Sequence, residues 1–101
     1  MELFLNKEEL ESLVTLYFAY EYDKDVEVTI ASVNAGNDNK TLGAVVKDLD
    51  TSGEKKLDAE AIKEVVTKMI EKDGSLVNGI TIDTRGVRVD VTKQLKNTSK
   101  R

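Results

Sequence analysis

The sequence predicts an α+β fold, two helices packed on one face of a roughly four-stranded antiparallel sheet, and three observations carry that prediction. Asp58 to Gly74 holds apolar residues at helical spacing between well-marked ends. Val26 to Val33 and Ile80 to Val91 alternate apolar and polar residues with the period of half-buried strands. The order helix, hairpin, helix, hairpin then reads as a pseudo-duplicated α-β-β unit, with only slight residue identity between the halves. One shared sheet with both helices on one side would bury one face of every strand.

Leu3, Phe4 and Leu5 lead into Asn6, which is followed three residues later by Glu9, the spacing of a capping box, with Leu5 and Leu10 placed as a hydrophobic staple. A helix is expected over residues 8–21. Leu10, Leu13, Val14, Tyr17 and Phe18 form its stripe, and Leu16 and Tyr20 widen that stripe beyond the single face a surface helix needs. Asp23-Lys24-Asp25 is a turn into a first strand. Asn34 to Lys40 is continuous turn chemistry and predicts a long loop, after which Leu42 to Leu49 returns as a second strand. Gly43, Ala44, Val45 and Val46 would also suit a short helix.

Asp50-Thr51-Ser52-Gly53 turns the chain into the second helix. Asp58 is placed to accept from the free amides of its first turn, with Leu57 and Ile62 as a staple. Ile62, Val65, Val66, Met69 and Ile70 make its buried stripe, and Gly74 supplies the left-handed residue that ends it. Asn78-Gly79 offers a tight turn. Asp83 and Gly86 then stand at the first and fourth positions of a type I turn between Ile80, Ile82 and Val87, Val89, Val91. The apolar pattern stops after Leu95, so residues 1–95 are expected to form one domain and 96–101 a frayed basic tail.

The 101 residues contain no Cys and no His. Disulfides, thiolate metal sites and thiol nucleophiles are thereby excluded, as are the commonest general base and metal ligand. What remains for chemistry is carboxylates, Lys, Tyr and Ser/Thr. No run is long enough for a membrane span and Met1 to Leu5 is too short for a signal peptide, so a cytoplasmic location is expected. The net charge of −4 divides unevenly, with 11 acids against 4 lysines up to Asp50 and 11 bases against 8 acids beyond it.

No motif supports catalysis or a cofactor. Asp48 to Gly53 resembles half of a calcium loop, but its twelfth position is Ala59, where a bidentate Glu is needed. Glu54-Lys55-Lys56 contains a Glu-x-Lys pair of the kind found in metal-dependent nucleases, which need a preceding Asp on an adjacent strand, whereas this triplet is read as part of a turn. Gly36 to Thr41 lacks the glycine spacing of a phosphate cradle. No catalytic residue, metal ligand or cofactor is assigned. The expectation is a small non-enzymatic binding protein, an inhibitor or assembly factor of the unremarkable kind that phage and mobile elements encode. Its partner would be another protein or its own copy, a homodimer. The candidate interface is Tyr17, Tyr20 and Tyr22, because residues 17–22 hold four of the five aromatics and Tyr is enriched in interfaces. The alternative is nucleic-acid binding through Arg85, Arg88, Lys93 and Lys96 on the basic last hairpin and tail. An enzyme using carboxylates and a metal ranks third.

Overall fold

The computed structural model describes residues 1–36 and 39–93. The chain forms β1 (Glu2–Asn6), α1 (Lys7–Tyr22), β2 (Val26–Gly36), β3 (Asn39–Asp48), β4 (Glu54–Leu57), α2 (Ala59–Glu71), β5 (Leu76–Asp83) and β6 (Gly86–Thr92). The α+β class holds, but the single four-stranded sheet does not. Six strands make two three-stranded antiparallel sheets, ordered β1-β6-β5 and β2-β3-β4, so the two hairpins lie in different sheets.

The difference comes from two short strands that the sequence pattern hides. Glu2–Asn6 pairs along β6 from Glu2 opposite Asp90 to Asn6 opposite Gly86, and Glu54–Leu57 pairs along β3 from Glu54 opposite Lys47 to Leu57 opposite Ala44. Each gives one hairpin a third strand. Neither is long enough to show a strand period: β1 is Glu-Leu-Phe-Leu-Asn running straight into the α1 cap, and β4 is Glu-Lys-Lys-Leu, of which only Leu57 is buried.

Both helix starts form as their caps dictate. The Asn6 side chain accepts from the Glu9 N–H at 2.8 Å while the Glu9 carboxylate accepts from the Asn6 N–H at 2.9 Å, completing the capping box. Asp58 accepts from the Ala61 N–H at 2.9 Å. Leu10 and Val14 from α1, Ile62 and Val66 from α2, and Leu42, Val87 and Val89 from the sheets are wholly buried and define the core.

Two turn assignments are overruled by pairing. The turn chemistry of Asn34 to Lys40 does not make a long loop, because β2 runs on to Gly36 and β3 starts at Asn39, with a bulge between Asn34 and Gly36. The far half of this hairpin, Ala31 to Thr41, projects as an arm whose described residues are exposed except for Thr41. Residues 42–48 are strand, not helix. Asn78-Gly79 likewise lies inside β5, where the register slips between Val77 and Gly79. There the turn residues form a β-bulge, since the partner strand β6 already fixes the chain direction. The expected tail at 96–101 lies outside the described residues.

Candidate aromatic cleft

Alpha-helical spacing puts Tyr17 and Phe18 on the buried face of α1 and Tyr22 one turn further on, at the helix end. The three rings cluster. Tyr17 meets Phe18 edge-on with centroids 5.5 Å apart and Tyr22 edge-on at 6.0 Å, and Phe18 and Tyr22 are 5.5 Å apart. Tyr17 is 7% exposed and Tyr22 53% exposed, so the cluster begins in the core and ends in solvent. Burial, then the Tyr22 hydroxyl and the charges of Glu21 and Glu64, push the Tyr17 hydroxyl up to about 12. It stays a neutral donor at any physiological pH.

The cluster forms one wall of a cleft of about 800 Å³. Ala61, Glu64, Val65 and Lys68 of α2 form the second wall, and the third comes from β2, β3 and β4, the arm included, through Thr29, Ala31, Val33, Gly43, Val45, Lys55 and Lys56. Its lining is apolar in the middle and charged at the margin, with three lysines and the acids Asp58 and Glu64. Asp58 is committed to its helix cap. Gly43 lets β2 and β4 come close here: a Cβ on it would lie 3.2 Å from one methyl of Val33 and 3.5 Å from the Leu57 carbonyl.

Tyr20, the third tyrosine of the expected interface, does not join the other two. It is 69% exposed on a different face of α1, with the Lys72 ammonium 5.9 Å above its ring. Lys72 also pairs with Glu21 at 2.9 Å and holds that carboxyl below its ordinary range, so the helices meet through their C-terminal halves. The structure thus places Tyr17 and Tyr22 in one cleft and Tyr20 beside it. The arm and α2 residues of the cleft escaped the sequence reading, since nothing local ties Val33 or Lys56 to a helix that ends 11 or more residues earlier in the sequence.

The basic hairpin is less basic in space than in sequence. Arg85, in the β5–β6 turn, lies 3.4 Å from the Asp83 carboxylate, and Asp83 accepts its backbone N–H at 2.8 Å. That backbone bond, joined by the guanidinium, keeps Asp83 below the usual carboxylate range against the opposing effect of burial. Arg88 is 4.0 Å from Glu2 and 5.5 Å above the Phe4 ring, a neighbour that only the β1–β6 pairing supplies. Lys93 is exposed just past β6. Lys96 lies outside the described residues. Among the described residues no group of three or more acids is placed to hold a metal ion, and no helix is long and apolar enough to cross a membrane.

The chain matches no protein-family model, no curated protein and no solved structure.

Proposed function

We propose that this chain is a non-enzymatic binding protein that recognises another protein, or its own copy, with the C-terminal end of α1 and the cleft beside it. The observation that carries the reading is the Tyr17–Phe18–Tyr22 ring cluster, anchored in the core at one end and open to solvent at the other. Aromatic anchors held rigid by packing lose little entropy on binding, which is why they dominate interface energetics. Tyr20 and Leu16, 69% and 50% exposed, extend the apolar surface along the same helix.

The same proposal includes a duplicated origin for the fold, with the unit being β-α-β-β rather than α-β-β. An offset of 52 residues superposes cap on cap (Asn6, Asp58), core on core (Leu10, Ile62; Val14, Val66) and strand on strand (Val28, Ile80; Ile30, Ile82). Thr15 and Thr67 correspond, and each hydroxyl donates to the carbonyl four residues back, at 2.7 and 2.8 Å. Past the hairpins the offset becomes 43, pairing Ala44 with Val87, Val46 with Val89 and Gly43 with Gly86. Both glycines approach the carbonyl of the residue before a helix cap, Leu57 in one case and Leu5 in the other. The first strand of each unit pairs with the hairpin of the other, β1 with β6 and β4 with β3. Tyr20 and Lys72 are each other's counterparts under the 52-residue offset and touch.

This correspondence supports the cleft as the working site. A smaller groove of about 470 Å³, lined by Asn6, Glu8, Glu9, Ser12, Leu13, Leu16, Met69 and Ile70, is its counterpart at the 52-residue offset for every lining residue but Glu8. The difference between the two is the arm, which makes the first hairpin nine residues longer than the second. It roofs one groove and leaves the other shallow.

The test is affinity capture from the source organism with immobilised wild-type chain, a Tyr20→Ala/Tyr22→Ala variant and a Lys56→Glu variant, each shown to be folded by circular dichroism. A partner held by the wild type and lost by both variants is the expected result. Equal capture by all three would remove the cleft and α1 from the reading.

A further inference from the structure

We infer that the arm is a self-pairing edge, joining β2 of one copy to β2 of a second copy in antiparallel fashion about a twofold axis near Val33. The Ile30 N–H points away from β3, since it donates to the Glu11 carboxylate of α1 at 2.9 Å. In an antiparallel ladder every second residue faces the same way, so the N–H and C=O of Ser32, and of Asn34 up to the bulge that follows it, also face away from β3, and among the described residues no loop, cap or side-chain group bonds to them. Helix α1 covers this edge as far as Ile30 and the arm leaves it open beyond.

The open edge lacks the features that keep sheet edges apart. Ala31-Ser32-Val33-Asn34-Ala35-Gly36 contains no charge and no proline. Two other edges are protected: β4 is Glu-Lys-Lys-Leu, and β1 ends against the cap of α1. Pairing about Val33 sets Ser32 of one copy opposite Asn34 of the other, so the two residues exchange both backbone hydrogen bonds at each of two equivalent places. It also brings the two Val33 side chains, each 42% exposed, face to face across the axis.

Charge fits the same arrangement. Glu8 and Glu11 line the surface of α1 beside Val28, next to where the end of a partner's arm arrives, and that end carries Lys40. Lys40 has no acid within ion-pair distance among the described residues. Self-association through the arm rests on the binding reading above but uses a backbone edge rather than the aromatic cluster, so the two can fail separately.

The experiment is sedimentation equilibrium of the full chain up to about 1 mM, where even millimolar affinity registers. The wild type is expected to dimerise with concentration. Asn34→Pro removes an outward N–H that the monomer leaves unbonded, so it keeps the fold and is expected to weaken the dimer about tenfold or more. Val33→Lys is expected to abolish it by setting like charges across the axis. Lys40→Glu should weaken the dimer, and Glu8→Lys in the same chain should restore it. A chain that stays monomeric, or a dimer that Asn34→Pro leaves unchanged, overturns the inference. Dissociation by Tyr20→Ala/Tyr22→Ala with no effect of Asn34→Pro would overturn the arm and support the aromatic surface instead.

Discussion

Replacing Gly86 by Ala should be the most damaging single-methyl change in the molecule. A Cβ at this position would stand 2.1 Å from the Leu5 carbonyl oxygen and 2.9 Å from the edge of the Phe4 ring, at a φ of +157°. Phe4 can rotate away, but the Leu5 carbonyl belongs to β1, and it cannot retreat without parting Asn6 from Gly86 and disturbing the capping box of α1. Overpacking of about 1–3 kcal/mol and backbone strain of about 1–3 kcal/mol together suggest a loss near 4 kcal/mol. For a chain of this size that lowers the melting temperature by about 15–30 °C. Two other glycines calibrate the scale. Gly43→Ala meets only the methyls of Val33 below 3.4 Å, an exposed side chain that can shift, and should cost about 1 kcal/mol or less. Gly79→Ala meets nothing within 4 Å and should be neutral or stabilising by a few tenths up to about 1 kcal/mol. Urea unfolding followed by circular dichroism would rank the three. A Gly86→Ala protein within about 1 kcal/mol of wild type would refute the claim that β1 is locked against β6.

Leu10→Ala and Ile62→Ala remove corresponding, wholly buried side chains, so each should cost about 2–5 kcal/mol. Chemical denaturation should find the two losses within about 1 kcal/mol of each other if the halves pack alike. Asn6→Ala and Asp58→Ala should each cost about 1 kcal/mol, because each frees a first-turn amide. Replacing the 13 residues 31–43 by the four-residue turn Asp-Thr-Arg-Gly of residues 83–86 should leave a folded protein. It would lose about 2–3 kcal/mol with the buried Leu42, and two-dimensional NMR would show whether the rest of the fold persists. The Asp48 carboxyl is held below its ordinary range, first by the Lys24 ammonium at 3.0 Å and then by the backbone amides of Asp50 and Thr51. A lowered folded-state value means stability that is present above the ordinary carboxylate range and lost as pH falls through the lowered one. Thermal melts between pH 5 and pH 2 should therefore show a shallower acid loss for Asp48→Asn than for wild type; equal slopes would remove Asp48 from the acid response.

The sequence by itself determined what short-range chemistry controls. Asn6 with Glu9, and Asp58, started both helices where expected, because a cap needs only its own first turn. Strand periods at Val26 to Ile30 and Val87 to Val91 chose their buried faces because side chains alternate along any strand. Tertiary structure alone decided the pairing. The sheet expected to be shared became two, since the edges of the hairpins were filled by Glu2–Asn6 and Glu54–Leu57 through backbone hydrogen bonds that any side chain permits and none advertises. It likewise decided that turn residues at Asn34 and Asn78 remain in strands, where a long-range ladder outweighs local preference. The cleft belongs to this second class. Tyr17 and Tyr22 are visible as an aromatic run, but their neighbours Val33, Lys56 and Val65 arrive from three other elements, Lys56 through the pairing of β4 with β3.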